Sequence, residues 1–226
     1  MSRTAALVIA AATDASEAAW QRLSVQRDLA AINLNPMSEV ALARGDLVAA
    51  RRWADDAVST MTGWHLATAL TTRARVAIAQ GEPAQAERDA YDALACAATT
   101  GSQLALPDIF ECLAGLAGQA GTHRQAAQHF GAADTLRQRT GAARYKIHDA
   151  DYRASVAAVR NAMGQQDFDT AWTEGTALSA EEAITYAQRG RGERKRPTSG
   201  WESLTPTERD VVRLVSEGLA NKDIAA

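Results

Sequence analysis

The chain has 226 residues, of which 46% are hydrophobic, 23% charged and 5% aromatic, with about 50 alanines and only 5 prolines. That balance excludes disordered and collagen-like classes and favours close-packed helices over sheets, so an all-α protein of one or two domains is expected. The net charge of −3 is unevenly spread: residues 189–226 carry eight Lys/Arg against six Asp/Glu, whereas residues 1–188 carry 16 against 21. An acidic body repels phosphates, so any nucleic-acid contact is expected at the C-terminal end.

From Met1 to Ala12 the chain has the small-residue character of a secretory signal, but a single Arg makes a thin basic region. The segment reads instead as a helix, and Asp14-Ala15-Ser16-Glu17 as a capped helix start. No run of eighteen apolar residues occurs, so no membrane partner is expected. Cys96 and Cys112 lie in Ala/Leu-rich stretches and read as reduced core thiols of a cytoplasmic protein.

One constellation then recurs three times. Ala41-Leu42-Ala43-Arg44-Gly45-Asp46 is followed by Ala50, Ala54 and Ala57; Ala77-Ile78-Ala79-Gln80-Gly81-Glu82 by Ala86, Ala90 and Ala93; and Ala117-Gly118-Gln119-Ala120-Gly121-Thr122 by Ala126, Phe130 and Ala133. Each glycine ends one helix and permits a tight turn into the next. The small residues beyond it share one face of the second helix, where a methyl group lets the paired helix approach closely.

These residues resemble the tetratricopeptide repeat family. Leu34, Leu70 and Phe110 fill its apolar first position and Ala74 and Ala114 its small one, whereas Ala41, Ala77 and Ala117 replace the aromatic residue of the first helix. The resemblance implies an antiparallel helical-hairpin array over residues 1–142, a superhelix whose inner groove holds a protein partner or another copy of the chain. It assigns groove positions to Asn35, Glu39, Thr71, Arg75 and Glu111. A single Arg75 beside two glutamates argues against capture of a peptide carboxylate, and the plainer expectation puts these residues on solvated helix faces.

Residues 143–188 read as further helices. Tyr152, Val156, Val159 and Met163 form an amphipathic stripe closed by Gly164, Phe168 to Trp172 begins a short helix with Trp172 in the core, and Ser179-Ala180-Glu181-Glu182 is a capping box for a helix to about Gln188. Residues 189–203, rich in charge and glycine, read as a basic flexible linker. At 204–226 the helix-start signals of Thr205, Pro206 and Glu208 precede an apolar face of Val211, Val212, Leu214 and Val215, a stop at Glu217-Gly218, and a second helix capped by Asn221. Two short helices around a glycine turn are the opening of a helix-turn-helix.

The stretch Leu204-Thr205-Pro206-Thr207-Glu208 with Val212, Leu214, Gly218-Leu219 and Asn221-Lys222-Asp223-Ile224-Ala225 resembles the first half of the LuxR-type DNA-binding domain. Upstream, Phe168, Ala171-Trp172, Gly175, Ala177-Leu178-Ser179 and Glu181-Glu182-Ala183 resemble the segment that joins helical repeats to that domain in large LuxR-type regulators. The family continues into a recognition helix, and this sequence stops at Ala226, so the expectation is an incomplete helix-turn-helix without base-edge contacts. Phosphate contacts from Arg194, Lys195, Arg196, Asn221 and Lys222 would remain, and residues 204–226 are expected to fray or to dock on the repeats.

No phosphate-binding loop, Cys-x-x-Cys, His-Glu-x-x-His or Gly-x-Ser-x-Gly occurs, and the four histidines are scattered, so neither catalysis nor a cofactor or metal is expected. The function implied is that of a LuxR-type transcriptional regulator whose repeats act as a sensor or oligomerisation arm. The alternative is a freestanding helical-repeat adaptor with a vestigial tail.

Overall fold

In the computed structural model the described residues are 33–195 together with Val212, Arg213 and Ser216. Among them all regular structure is helical. The α-helices are α1 (Leu34–Arg44), α2 (Leu47–Thr60), α3 (Gly63–Ala79), α4 (Pro83–Thr100), α5 (Leu106–Gln119), α6 (His123–Thr140), α7 (Asp149–Met163), α8 (Gln165–Thr176) and α9 (Ala180–Lys195), with a 3₁₀ turn at Lys146–His148. The chain divides into two units, Met1–Ile184 and Thr185–Ala226. The expected helices before residue 33 and the expected helix-turn-helix lie outside the described residues, except that Val212, Arg213 and Ser216 are helical and exposed.

The first six helices pair as α1 with α2, α3 with α4 and α5 with α6, and the three glycines predicted as corners make the same turn. Gly45, Gly81 and Gly121 have φ of 77°, 75° and 78°. Each donates its N–H to the carbonyl three residues back, at 3.0, 3.1 and 3.1 Å, and the next residue donates to the carbonyl of Ala41, Ala77 or Ala117 at 3.0, 2.8 and 2.9 Å. This double bond pattern satisfies carbonyls left over at a helix end and needs the left-handed conformation that only glycine adopts cheaply. The alanines in the aromatic position of the first helix thus also supply the acceptors of the corner.

Beyond each corner the small residues are buried as expected. Ala50, Ala54, Ala57, Ala86, Ala90, Ala93, Ala126 and Ala133 have no exposed surface, and Phe130 fills the remaining position. Leu34, Leu70 and Phe110 of the first helices are also buried. One apolar cluster joins α1 and α2 to Ala69 and Val76 of α3. A second joins α5, α6, α7 and α8 through Ala114, Phe130, Val159, Phe168 and Ala171, with Tyr152, Val156, Met163 and Trp172 packed half-buried against it. The predicted stripe of α7 therefore faces the hairpins.

Where α8 crosses α6, two glycines meet the opposite backbone. A Cβ on Gly131 would strike the Trp172 carbonyl oxygen, and one on Gly175 the Gln128 carbonyl oxygen. Arg124 and Gln128 of α6 hold Glu174 of α8 at 2.7 and 2.8 Å beside this crossing. The predicted capping box opens α9: the Ser179 N–H donates to Glu182 at 2.8 Å and the Glu182 N–H to the Ser179 hydroxyl oxygen at 3.2 Å.

One expectation is corrected. The helix expected to stop near Gln188 runs to Lys195, so the first part of the expected flexible linker is helical. Arg, Glu and Lys are good helix formers, and between them they carry the helix through Gly190 and Gly192.

Candidate functional site

The corner glycines supply a common register for the first helix of each hairpin. Ten residues before them stand Asn35, Thr71 and Glu111; six residues before them stand Glu39, Arg75 and Gly115. Positions four apart on a helix share a face, so these six form two rungs of a ladder across α1, α3 and α5.

The side chains of that ladder are not solvated. The Glu39 side chain is 9% exposed, that of Arg75 11% and that of Glu111 8%. They lie in one ion-pair network within the first unit. Arg75 reaches Glu39 at 3.5 Å and Asp108 at 2.7 Å; Arg137 reaches Asp108 at 3.1 Å and Glu111 at 2.9 Å; Arg144 reaches Glu111 at 2.6 Å and Asp149 at 3.5 Å. His148 Nε2 stands 2.8 Å from Glu39 Oε2, and neither atom has another hydrogen-bond partner among the described residues. The Thr72 hydroxyl donates to Glu39 Oε1 at 2.9 Å. Of the other groove positions, Asn35 donates to the Thr68 hydroxyl oxygen at 3.0 Å, and Thr71 bonds back to the Ala67 carbonyl of its own helix.

Burial alone would push the Glu39 carboxyl up, but His148, Arg75 and Thr72 outweigh it and hold it below its ordinary value of 4.5. Asp108 behaves alike: burial raises it, and Arg75 and Arg137 bring it below 3.8. For Arg75 burial disfavours the charge, yet the ionised Asp108 and Glu39 carboxylates beside it more than compensate and keep the guanidinium protonated. The Glu111 hydrogen bonds raise Arg144 in the same sense, and its guanidinium also lies 3.6 Å from the centre of the Tyr152 ring. Cys112 is buried, which pushes its thiol up to about 11 and leaves it an inert neutral group.

Beside the network lies a cavity of about 470 Å³. It is lined by Arg75, Ile78, Glu111, Cys112 and Gly115 of the first helices and by Phe130 of α6. Ile147, His148, Asp151, Tyr152 and Ser155, from the 3₁₀ turn and α7, line it too. Leu42, Gly45 and Leu47 of the first corner also contribute. A Cβ on Gly115 would meet no described heavy atom within 4 Å, so this glycine, where the other hairpins carry Glu39 and Arg75, leaves open space. Gly inside a helix costs roughly 0.5–1 kcal/mol relative to Ala.

Arg75 and Glu111 of the five groove residues thus line the cavity, and Asn35, Glu39 and Thr71 do not. Arg194 and Lys195 fall in the last turn of α9, but their side chains, and all of Arg196, Asn221 and Lys222, lie outside the described residues. Sequence reasoning missed Asp108, Arg137, Arg144, His148 and Gly115. Gly115 alone carried a signal, since it departs from the register of Glu39 and Arg75; the others come from separate elements with no fixed spacing. Among the described residues no group of three His, Cys, Asp or Glu is placed to hold a metal, and no helix is long and apolar enough to cross a membrane.

No protein-family profile matches the chain, and no solved structure does. Curated relatives do. The "Putative HTH-type transcriptional regulator Mb0914c" of Mycobacterium bovis and the "Putative HTH-type transcriptional regulator Rv0890c" of Mycobacterium tuberculosis are each 58% identical to it over 217 residues, covering 96% of this chain and 25% of the relative. This chain is therefore similar, over nearly all its length, to one part of proteins named as helix-turn-helix regulators, and it spans about a quarter of their length.

Proposed function

We propose that the chain serves in transcription regulation of the LuxR type. In this reading residues 1–142 are a tetratricopeptide-like arm, residues 143–188 complete it, and it senses a signal or mediates self-association. The segment after α9, residues 196–203, tethers the arm, and residues 204–226 begin the DNA-binding domain. The observation that carries the reading is the 58% identity to the two mycobacterial proteins, which extends over 96% of this chain. Three corners with the same bonds support the arm, and the excess of basic residues after position 188 supports placing DNA contact at that end.

Fluorescence anisotropy on a labelled random-sequence duplex tests it. Wild type is compared with a variant in which Arg194, Lys195, Arg196 and Lys222 are all changed to Ala. Each phosphate contact contributes about −0.9 to the slope of log affinity against log salt, so the variant, which loses four cations, should bind weakly and with a slope shallower by up to about 3.6. An unchanged affinity and slope would overturn the proposal.

A further inference from the structure

We infer that the inner cavity is a binding site for a compact apolar molecule that carries an ammonium group. It lies in the arm that the preceding section reads as sensory, and it rests on that reading for its biological role. Its volume of about 470 Å³ falls within the ~300–1,000 Å³ of small-molecule sites.

The first observation is Gly115. A glycine within a helix weakens that helix, and here neither a positive φ nor a close neighbour requires it. What its missing side chain leaves free is the cavity itself. The second is the chemistry of the lining. Leu42, Leu47, Ile78, Phe130 and Ile147 provide apolar wall. Arg75 is spent on Glu39 and Asp108, and Glu111 on Arg137 and Arg144, while His148 faces Glu39. The remaining charge on the lining is Asp151, which is exposed and makes no ion pair among the described residues. A bound anion would find no uncommitted cation; an ammonium group would find the Asp151 carboxylate.

The test is calorimetric titration of the full chain, free of DNA, with 1-aminoadamantane and adamantane-1-carboxylate. These two probes share one apolar cage and carry opposite charge. The amine is expected to bind saturably at one site, about tenfold more tightly than the carboxylate, a ratio that Asp151→Asn should bring close to one. Gly115→Leu, which fills the cavity from a position with room for the side chain, should abolish binding while thermal unfolding shows the fold intact. Failure of the amine to bind saturably, equal affinity for the two probes, or undiminished binding by folded Gly115→Leu would each overturn the inference. Because no DNA is present, these results stand apart from those on phosphate contacts, and either reading can fail alone.

Discussion

Glu111 is the carboxylate on which the ion-pair network converges, and replacing it with Gln measures what that network contributes. One of its oxygens accepts from Arg137 Nε at 3.2 Å, Arg137 Nη2 at 2.9 Å and Arg144 Nη2 at 2.6 Å; the other accepts from Arg144 Nε at 2.9 Å. Gln preserves the volume and one acceptor oxygen but leaves two guanidiniums, 13% and 17% exposed, short of their main counter-charge. Breaking a buried pair by removing one partner costs about 3–5 kcal/mol. Arg137 keeps Asp108 and the Ala142 carbonyl, and Arg144 keeps Asp149 and the Tyr152 ring, which places Glu111→Gln near the low end. Urea unfolding followed by circular dichroism reads this directly. With a slope of roughly 2 kcal/mol per molar urea, a loss of about 3 kcal/mol lowers the midpoint by about 1.5 M. Glu174→Gln is the control, because Glu174 and its partner Arg124 are 42% and 57% exposed, and such pairs contribute about 0–1 kcal/mol. If the two variants lose the same amount, the network is no more than a set of surface contacts and the reasoning fails.

Three further outcomes follow from the geometry. Gly175→Ala forces a Cβ into the Gln128 carbonyl and should cost about 2 kcal/mol or more, whereas Gly115→Ala enters open space and should stabilise by about 0.5–1 kcal/mol; thermal melts of the two variants check the contrast. Glu39 and Asp108 are held below ordinary values of 4.5 and 3.8, so the stability they contribute is complete above about pH 4.5 and is lost as pH falls through their folded values. The midpoint of unfolding should therefore drop as pH falls below about 4.5, and Glu39→Gln should flatten that drop; equal slopes for variant and wild type would contradict it. Iodoacetamide at pH 8 should modify native Cys96, which is half-buried, well ahead of Cys112, whose thiol is buried and pushed up to about 11, as peptide mass spectrometry will show.

The hairpins were legible because their determinants are local and periodic. A glycine that must adopt φ near 75° and small residues at fixed distances beyond it leave a pattern that needs no knowledge of the third dimension, and the capping box at Ser179 is readable for the same reason. The extent of α9 was less legible, since a run of basic residues interrupted by glycine has the composition of a tether even where it is helical. The charge network was least legible. Glu39, Arg75 and Glu111 were found by register, but whether such side chains meet water or one another depends on what packs over them. Here that is Arg137 from the partner helix and the segment carrying Arg144 and His148, whose distance along the chain from α1 and α3 bears no relation to the repeat. The same segment also lines the cavity, and the residues expected in a groove or on solvated faces are occupied with one another instead.

The most direct test of the account is to crosslink the full chain to duplex DNA and map the attached peptides by mass spectrometry. A transcription regulator whose acidic hairpins stand apart from DNA should yield crosslinks confined to residues 189–226. Crosslinks concentrated on residues 33–188 would contradict the assignment of arm and DNA-contacting end.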